Sequence, residues 1–511
     1  MGAGNPMRRM FVVAVGVSTA SIIAGTIILG VSSPAEALPS FARQTGQTCG
    51  TCHTDYPGLT PYGRLFKLNG YTTGGGKYRT TLFSRNDDSA KPSTAIPTKA
   101  PASGQSGTDQ SAWVPPISMM AVVGYTHTQA DQDPTGSRYH ANDNVAVSPL
   151  SFFYGGAITD HIGAFAQVTY VDASFGALDP ADPYASKLWT WDNTDVRYAN
   201  SATLAGMSVI FGITGNNNPT VQDPWNTTPA WGFPYAASTI GATGPSSSTL
   251  IEGALAARVA GVGAYAWINN LVYLELTGYR AVNFDALAKL GTDPFGGPGV
   301  SPGMMDGIAP YWRVALEPHW GNHWLEFGAF GMSARVRPFT FAQDSNGFYL
   351  NQTYSQTDRY TDVGFDTQYQ YQGDNYWVTL RGTYIHENQT LDASSLNFGF
   401  NPTNTLNTFK ALASLAYGND NRIVLTGQYF NSQGSSDATL YVNNPGCGCS
   451  PDSNGYTFEI AYIPFSSSQA PVWPWANVRV GLQYTYYNKF NGDTVFAHDN
   501  NTLFGYLWFA M

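Results

Sequence analysis

The chain has 511 residues, of which 43% are apolar, 14% aromatic and only 12% charged, with 54 Gly, 31 Pro, 31 Tyr, 28 Phe and 13 Trp. Average chains carry about 25% charged residues, so this one suits a medium poorer in ions than water, and its aromatic content excludes disorder as the main state. A formal net charge of −10 argues against nucleic acid as a partner and for cations.

Arg8 and Arg9 precede an apolar run from Phe11 to Val31, closed by Ala35-Glu36-Ala37. Basic, greasy, then small-x-small is the order of a secretory signal peptide, so residues 1–37 are expected to be removed after Ala37. The run is also long enough for a retained membrane anchor, although Thr, Ser and Gly dilute it. No later segment offers a second apolar run of spanning length, which leaves an exported chain free or in an outer membrane.

Residues 38–84 carry the chemistry. Cys49-Gly50-Thr51-Cys52-His53 has the spacing of c-type haem attachment. Two thiols three residues apart can both reach the vinyl groups on one porphyrin edge, and the adjacent imidazole then lies under the iron. A thioredoxin-like pair or half a zinc site is the plainer alternative, but no other His lies between Leu38 and Trp113, so zinc would be short of ligands. The segment is too short to build its own core. Leu59, Tyr62, Leu65, Phe66 and Leu68 are expected to pack on one haem c, with Tyr62, Leu65 and Phe66 on one face of a short helix. Arg43, Arg64 and Lys67 either pair with haem propionates or stay solvated. The sixth iron ligand is open: Met119, Met120 and His127 are the nearest candidates, ordinary barrel wall is the plainer role for the two methionines, and an unligated position is equally allowed.

Residues 85–116, rich in Ser, Thr, Pro, Gly and Ala without a period, read as a flexible linker. From 117 to 511, segments of about ten residues alternate apolar and polar. Val478, Val480, Leu482, Tyr484 and Tyr486 interleave with Asn477, Arg479, Gly481, Gln483 and Thr485. About sixteen strands are expected, from 117–128 to 500–510, with 251–267 as the sixth. Connections after odd-numbered strands are long, the longest lying between Gly215 and Thr249; most others are tight, such as Ile158-Thr159-Asp160 and Ile268-Asn269-Asn270, the Pro-rich 464–474 link excepted. Long-short alternation with an even strand count is the pattern of an all-β, transmembrane antiparallel β-barrel, with short turns at the periplasm. Cys447-Gly448-Cys449 falls in an outer loop, as a disulfide or a pair of thiols rather than a metal site. The apolar, aromatic last strand suits barrel closure.

The haem motif sits in Pro39-Ser40-Phe41-Ala42-Arg43-Gln44-Thr45-Gly46 and is followed by Leu59-Thr60-Pro61-Tyr62-Gly63-Arg64, Phe66-Lys67-Leu68 and Gly70-Tyr71. With the loop run from Asn217 to Trp231, this resembles the fused outer-membrane monohaem cytochrome–porins of iron-oxidising bacteria. The resemblance implies an outer-membrane protein that takes electrons from extracellular Fe(II), an Fe(II) oxidase-type activity, and passes them to periplasmic carriers such as soluble c-type cytochromes. A donor-agnostic conduit and a porin with a structural or sensory haem are the competing functions.

A barrel of about 16 strands has a lumen too wide for its own side chains to fill, and the haem segment lacks a core. The segment is therefore expected to enter the lumen from the periplasmic mouth. By parity Asp362, Asp366, Glu275, Glu317 and Glu326 face inward, either to draw in cations or to pair with Arg313, Arg381 and Arg479.

Overall fold

A computed structural model describes residues 38–72, 115–132, 139–170, 189–292, 304–343, 349–353, 355–418, 420–441 and 449–511. The leader 1–37, the linker up to residue 114 and Cys447 lie outside the described residues. Sixteen strands form the wall: β1 (Ile117–Thr128), β2 (Asn144–Ala157), β3 (Ile162–Tyr170), β4 (Trp189–Leu204), β5 (Met207–Asn216), β6 (Val259–Ile268), β7 (Val272–Ala281) and β8 (Ile308–Leu316). They continue as β9 (His323–Arg337), β10 (Asp358–Gln372), β11 (Tyr376–Thr390), β12 (Thr403–Tyr417), β13 (Ile423–Gly434), β14 (Ser453–Tyr462), β15 (Asn477–Lys489) and β16 (Thr502–Ala510). Each pairs antiparallel with the next, and β16 pairs with β1, Thr502 opposite Thr128 and Ala510 opposite Met120. The sheet is a closed 16-stranded barrel, without the unpaired edges that a sandwich would leave.

The alternation read from the sequence becomes two unlike surfaces. Along β6 and β7 nearly every second residue is buried in the lumen and its neighbour is exposed. The exposed set is apolar: Val262, Leu276 and Ile308 are 69, 64 and 70% exposed. The buried set includes Arg197 and Arg313, both fully enclosed. An apolar outside around a charged inside is the reverse of a water-soluble protein and matches a wall facing hydrocarbon. Among the described residues no helix is long and apolar enough to cross a membrane; strands form the wall.

Connection lengths follow the expected alternation. Ala205-Gly206, with φ of 49° and 79°, turns β4 into β5 in two residues, whereas 217–258 joins β5 to β6. One expectation needs correction: 251–254 is not strand. Thr249 and Glu252 make a reciprocal capping box that starts a helical turn at Leu250–Ala254, and β6 begins only at Val259.

The core is shared among three parts. Leu38, Phe66 and Tyr71 of the N-terminal segment, Met120, Phe153 and Phe165 of the wall, and Trp231 and Phe233 of the 217–258 loop bury one another. Neither segment nor loop has a separate core, so each stays folded only inside the barrel.

Candidate cofactor site

The segment is built from short pieces with defined ends. Helix α1 (Pro39–Thr45) has Pro at its first position and stops at Gly46, which is left-handed with φ 70°. Helix α2 (Cys49–Cys52) is a single turn that projects both thiols and passes directly into His53. Helix α3 (Pro61–Leu68) is capped by Thr60, whose hydroxyl accepts from Gly63 N at 3.2 Å and donates to the Thr51 carbonyl at 2.6 Å. Packing of α3 against α2 leaves no room for a side chain at Gly63: a Cβ there would stand 2.2 Å from the Cys52 carbonyl oxygen.

Cys49, Cys52 and His53 line one cavity with Phe41, Phe66 and Trp231. The cavity is open at one mouth, and the space within and before it, solvent included, is about 770 Å³. Both thiols are free. His53 Nδ1 lies 3.2 Å from the Pro57 carbonyl oxygen, which fixes Nδ1 as the protonated nitrogen and leaves the Nε2 lone pair for a ligand. Burial lowers the His53 pKa to about 4 and raises that of Cys52 to about 12. The donor set, with an apolar aromatic wall, fits a covalently attached haem. Among the described residues no three His, Cys, Asp or Glu side chains gather closely enough to hold a bare metal ion.

The three basic residues dock the segment to the barrel. Arg64 Nε pairs with Glu317 at 3.0 Å and Nη1 donates to Gln370 at 2.6 Å. Lys67 Nζ donates to the Val221 and Asp223 carbonyls at 2.7 and 2.8 Å and lies over the Trp231 ring. Arg43 Nη2 donates to the Ile117 carbonyl at 2.5 Å and its guanidinium stacks on Trp475. The expected roles of Arg43 and Arg64 toward propionates, or in solvent, give way to these contacts; Lys67 alone of the three lines the cavity. Phe66 and Leu59 line it too, whereas Tyr62 does not, and Leu65 and Leu68 turn toward Trp225 and Tyr273.

Further ties place the motif at the short-turn end of the lumen. Asn421 Nδ2, in the turn between β12 and β13, donates to the His53 carbonyl at 2.7 Å, and Thr48 donates to Asp420 at 2.9 Å. Asn477 Nδ2 approaches Cys49 Sγ at 3.7 Å. Arg479 pairs with Asp55 of the segment and with Glu459.

The inward carboxylates are largely spoken for. Arg313 contacts Asp366 at 2.7 Å, Glu326 at 3.1 Å and Asp223 at 3.4 Å. Glu275 accepts from Gln222 and Tyr273, and Asp362 and Glu387 accept from the backbone N–H groups of Ile251 and Leu250. Arg381 pairs with Gln368 and Tyr235 instead of a carboxylate. Pairing and loop anchoring, not an open acidic funnel, describe this ring.

None of the three distal candidates lines the cavity. Met120 is buried in the shared core, and Met119 has the outward parity of β1. His127 sits at the far, long-loop end of β1, paired with the exposed Asp143. Cys449 is disulfide-bonded. Sequence reasoning gave Asn226 and Trp231 no place in the site, although both reach the cavity from the 217–258 loop; the signals were that loop's unusual length and its run from Asn217 to Trp231.

Neither family models nor curated proteins match this chain. Among solved structures, OprB of Pseudomonas putida is similar at 12% identity over 77% of this chain and 92% of that one, with a TM-score of 0.41. A loop-deletion mutant of OmpT, an outer membrane protein of Vibrio cholerae, shows 9% identity over 77% and 97%, TM-score 0.39. The outer membrane channel DcaP of Acinetobacter baumannii shows 10% identity over 77% and 96%, TM-score 0.39. These are likenesses of barrel architecture only.

Proposed function

We propose that this chain is an outer-membrane electron conduit in which Cys49 and Cys52 would attach one haem c and His53 would ligate its iron, and which oxidises extracellular Fe(II) and passes electrons to periplasmic carriers. The observation that carries the reading is the lodging of the Cys49–His53 motif inside the lumen of a barrel with an apolar exterior. Short turns mark the periplasmic end of such barrels, and the motif lies at that end.

When bound, the haem supplies a reversible one-electron Fe(III)/Fe(II) couple. The chain supplies the rest. Pro57 orients the His53 ring, and Phe41, Phe66 and Trp231 keep the surroundings apolar. Arg64 and Lys67 hold the segment at a constant position against the wall, so successive donors meet the same geometry. At the short-turn mouth Cys49 borders a second concavity lined by Trp473, Pro474 and Trp508, where a periplasmic electron acceptor would approach.

The test uses intact cells displaying the haem-loaded protein. Added Fe(II) should reduce the haem while the outer membrane is impermeable to protease. Reduction only after lysis would mean that the haem is served from the periplasm, and the conduit reading would fail. The double variant Cys49→Ala/Cys52→Ala should lose all covalent haem, read by in-gel haem staining, while the barrel keeps its heat-modifiable migration. Loss of the barrel as well would favour the competing reading, a porin stabilised by its haem.

A further inference from the structure

The cavity wall carries information about the side of the iron that His53 does not occupy. Besides His53, the described residues lining it include no methionine and no histidine. Other side chains with lone pairs do line it, and their bonds are already made. Tyr71 Oη donates to Asp195 Oδ2 at 2.6 Å. Lys67 Nζ donates to two carbonyls, at 2.7 and 2.8 Å. Asn226 Oδ1 accepts from Leu59 N at 3.2 Å, and Thr48 Oγ1 donates to Asp420 Oδ1 at 2.9 Å. Pulling any of them onto a metal would leave a buried partner unsatisfied. Gln47 also lines the wall, but an amide is a weak ligand for haem iron.

We infer that a haem held by Cys49, Cys52 and His53 has His53 as its only side-chain ligand and keeps its sixth position open to a small exogenous molecule: a neutral diatomic on the ferrous iron, a small anion on the ferric iron. The inference rests on the haem reading above and extends it. Phe41, Phe66, Phe165 and Trp231 give the wall an apolar part beside these engaged polar groups, which suits an uncharged diatomic ligand.

The experiment takes the purified full-length, haem-loaded protein in detergent. Ferric protein should give a high-spin electron paramagnetic resonance signal, and carbon monoxide added to the dithionite-reduced protein should shift the Soret band with one equivalent bound per haem. Cyanide should convert the ferric signal to low spin. A low-spin ferric signal without added ligand, together with no response to carbon monoxide, would overturn the inference. A low-spin ferric signal that turns high spin in Lys67→Leu or Tyr71→Phe would identify that residue as the ligand and overturn it too. A chain whose mass shows no covalent haem at all would defeat the cofactor reading itself, an outcome distinct from a haem with six strong ligands.

Discussion

Two pieces of chain fill the lumen, and they are made differently. The 38–72 segment enters beside the short turns as three short helices, and it brings cations: Arg43, Arg64 and Lys67. The 217–258 loop comes from the opposite end with little regular structure, and it offers acceptors to one of those cations, Lys67: the carbonyls of Val221 and Asp223. The segment is attached at one mouth. The loop is tied around the ring, its Phe233 and Ala236 carbonyls to Gln428 and Gln483, its Leu250 and Ile251 N–H groups to Glu387 and Asp362. The difference teaches that the loop is a scaffold and the segment a guest: the loop has its own ties around the wall, whereas the segment is held by wall and loop together.

Arg313→Met should separate the two most strongly. It removes the cation among Asp223, Glu326 and Asp366, all buried, and leaving such charges unpaired costs about 3–5 kcal/mol. Urea unfolding in detergent should show that loss, and limited proteolysis should open the loop and the segment together. Opening of the segment alone would contradict the scaffold-and-guest order.

Gly63→Ala should act on the guest only. The new Cβ would collide with the Cys52 carbonyl at 2.2 Å, a backbone atom that cannot swing aside, and overpacking of this kind costs about 1–3 kcal/mol. Protease should then cut within 38–72 while barrel migration stays that of the parent. An unchanged cleavage pattern would mean that α2 and α3 are not packed as described.

Lys67 joins the two pieces and gives the comparison a pH dependence. Burial, aided by the Arg197 charge, lowers its pKa from 10.5 to about 7. Below about pH 7 both folded and unfolded chains hold the proton, and the full cost of burying the charge is present. Between about 7 and 10.5 the unfolded chain binds more protons, so stability rises with pH. Parent minus Lys67→Met stability should therefore climb across that window and be flat below it; a flat difference throughout would mean that the amine stays charged.

Arg337→Ala, far from both pieces, should do least. Its pair with Asp306 at 2.9 Å is more than a third exposed on each side, and such pairs contribute about 0–1 kcal/mol.

Much of the wall was legible because a strand in a barrel reports its surroundings residue by residue. Val478 to Tyr486 shows the period of two directly, and tight turns such as Ile268-Asn269-Asn270 mark where the chain reverses. Thr249 to Ala254 misled because an apolar run can serve a strand or a capped helical turn, and the Thr249–Glu252 pair decides for the turn. In the site, Cys49, Cys52 and His53 were visible from spacing, since neighbours along one turn meet whatever the fold. The partners of Arg64 and Lys67 were not: Glu317 and Val221 are far away in sequence, and no local period encodes such contacts.

The sequence by itself determined the number and order of the strands, the side of each that faces outward, and the adjacency of Cys49, Cys52 and His53 in one short motif. All three depend on interactions between residues close along the chain. Only the tertiary structure decided that the basic residues bind barrel and loop, that the longest loop turns inward to carry Asn226 and Trp231 to the cavity, and that among the described residues no methionine or second histidine lines it. Those outcomes follow from filling a lumen too wide for its own side chains, where what matters is which distant groups arrive together.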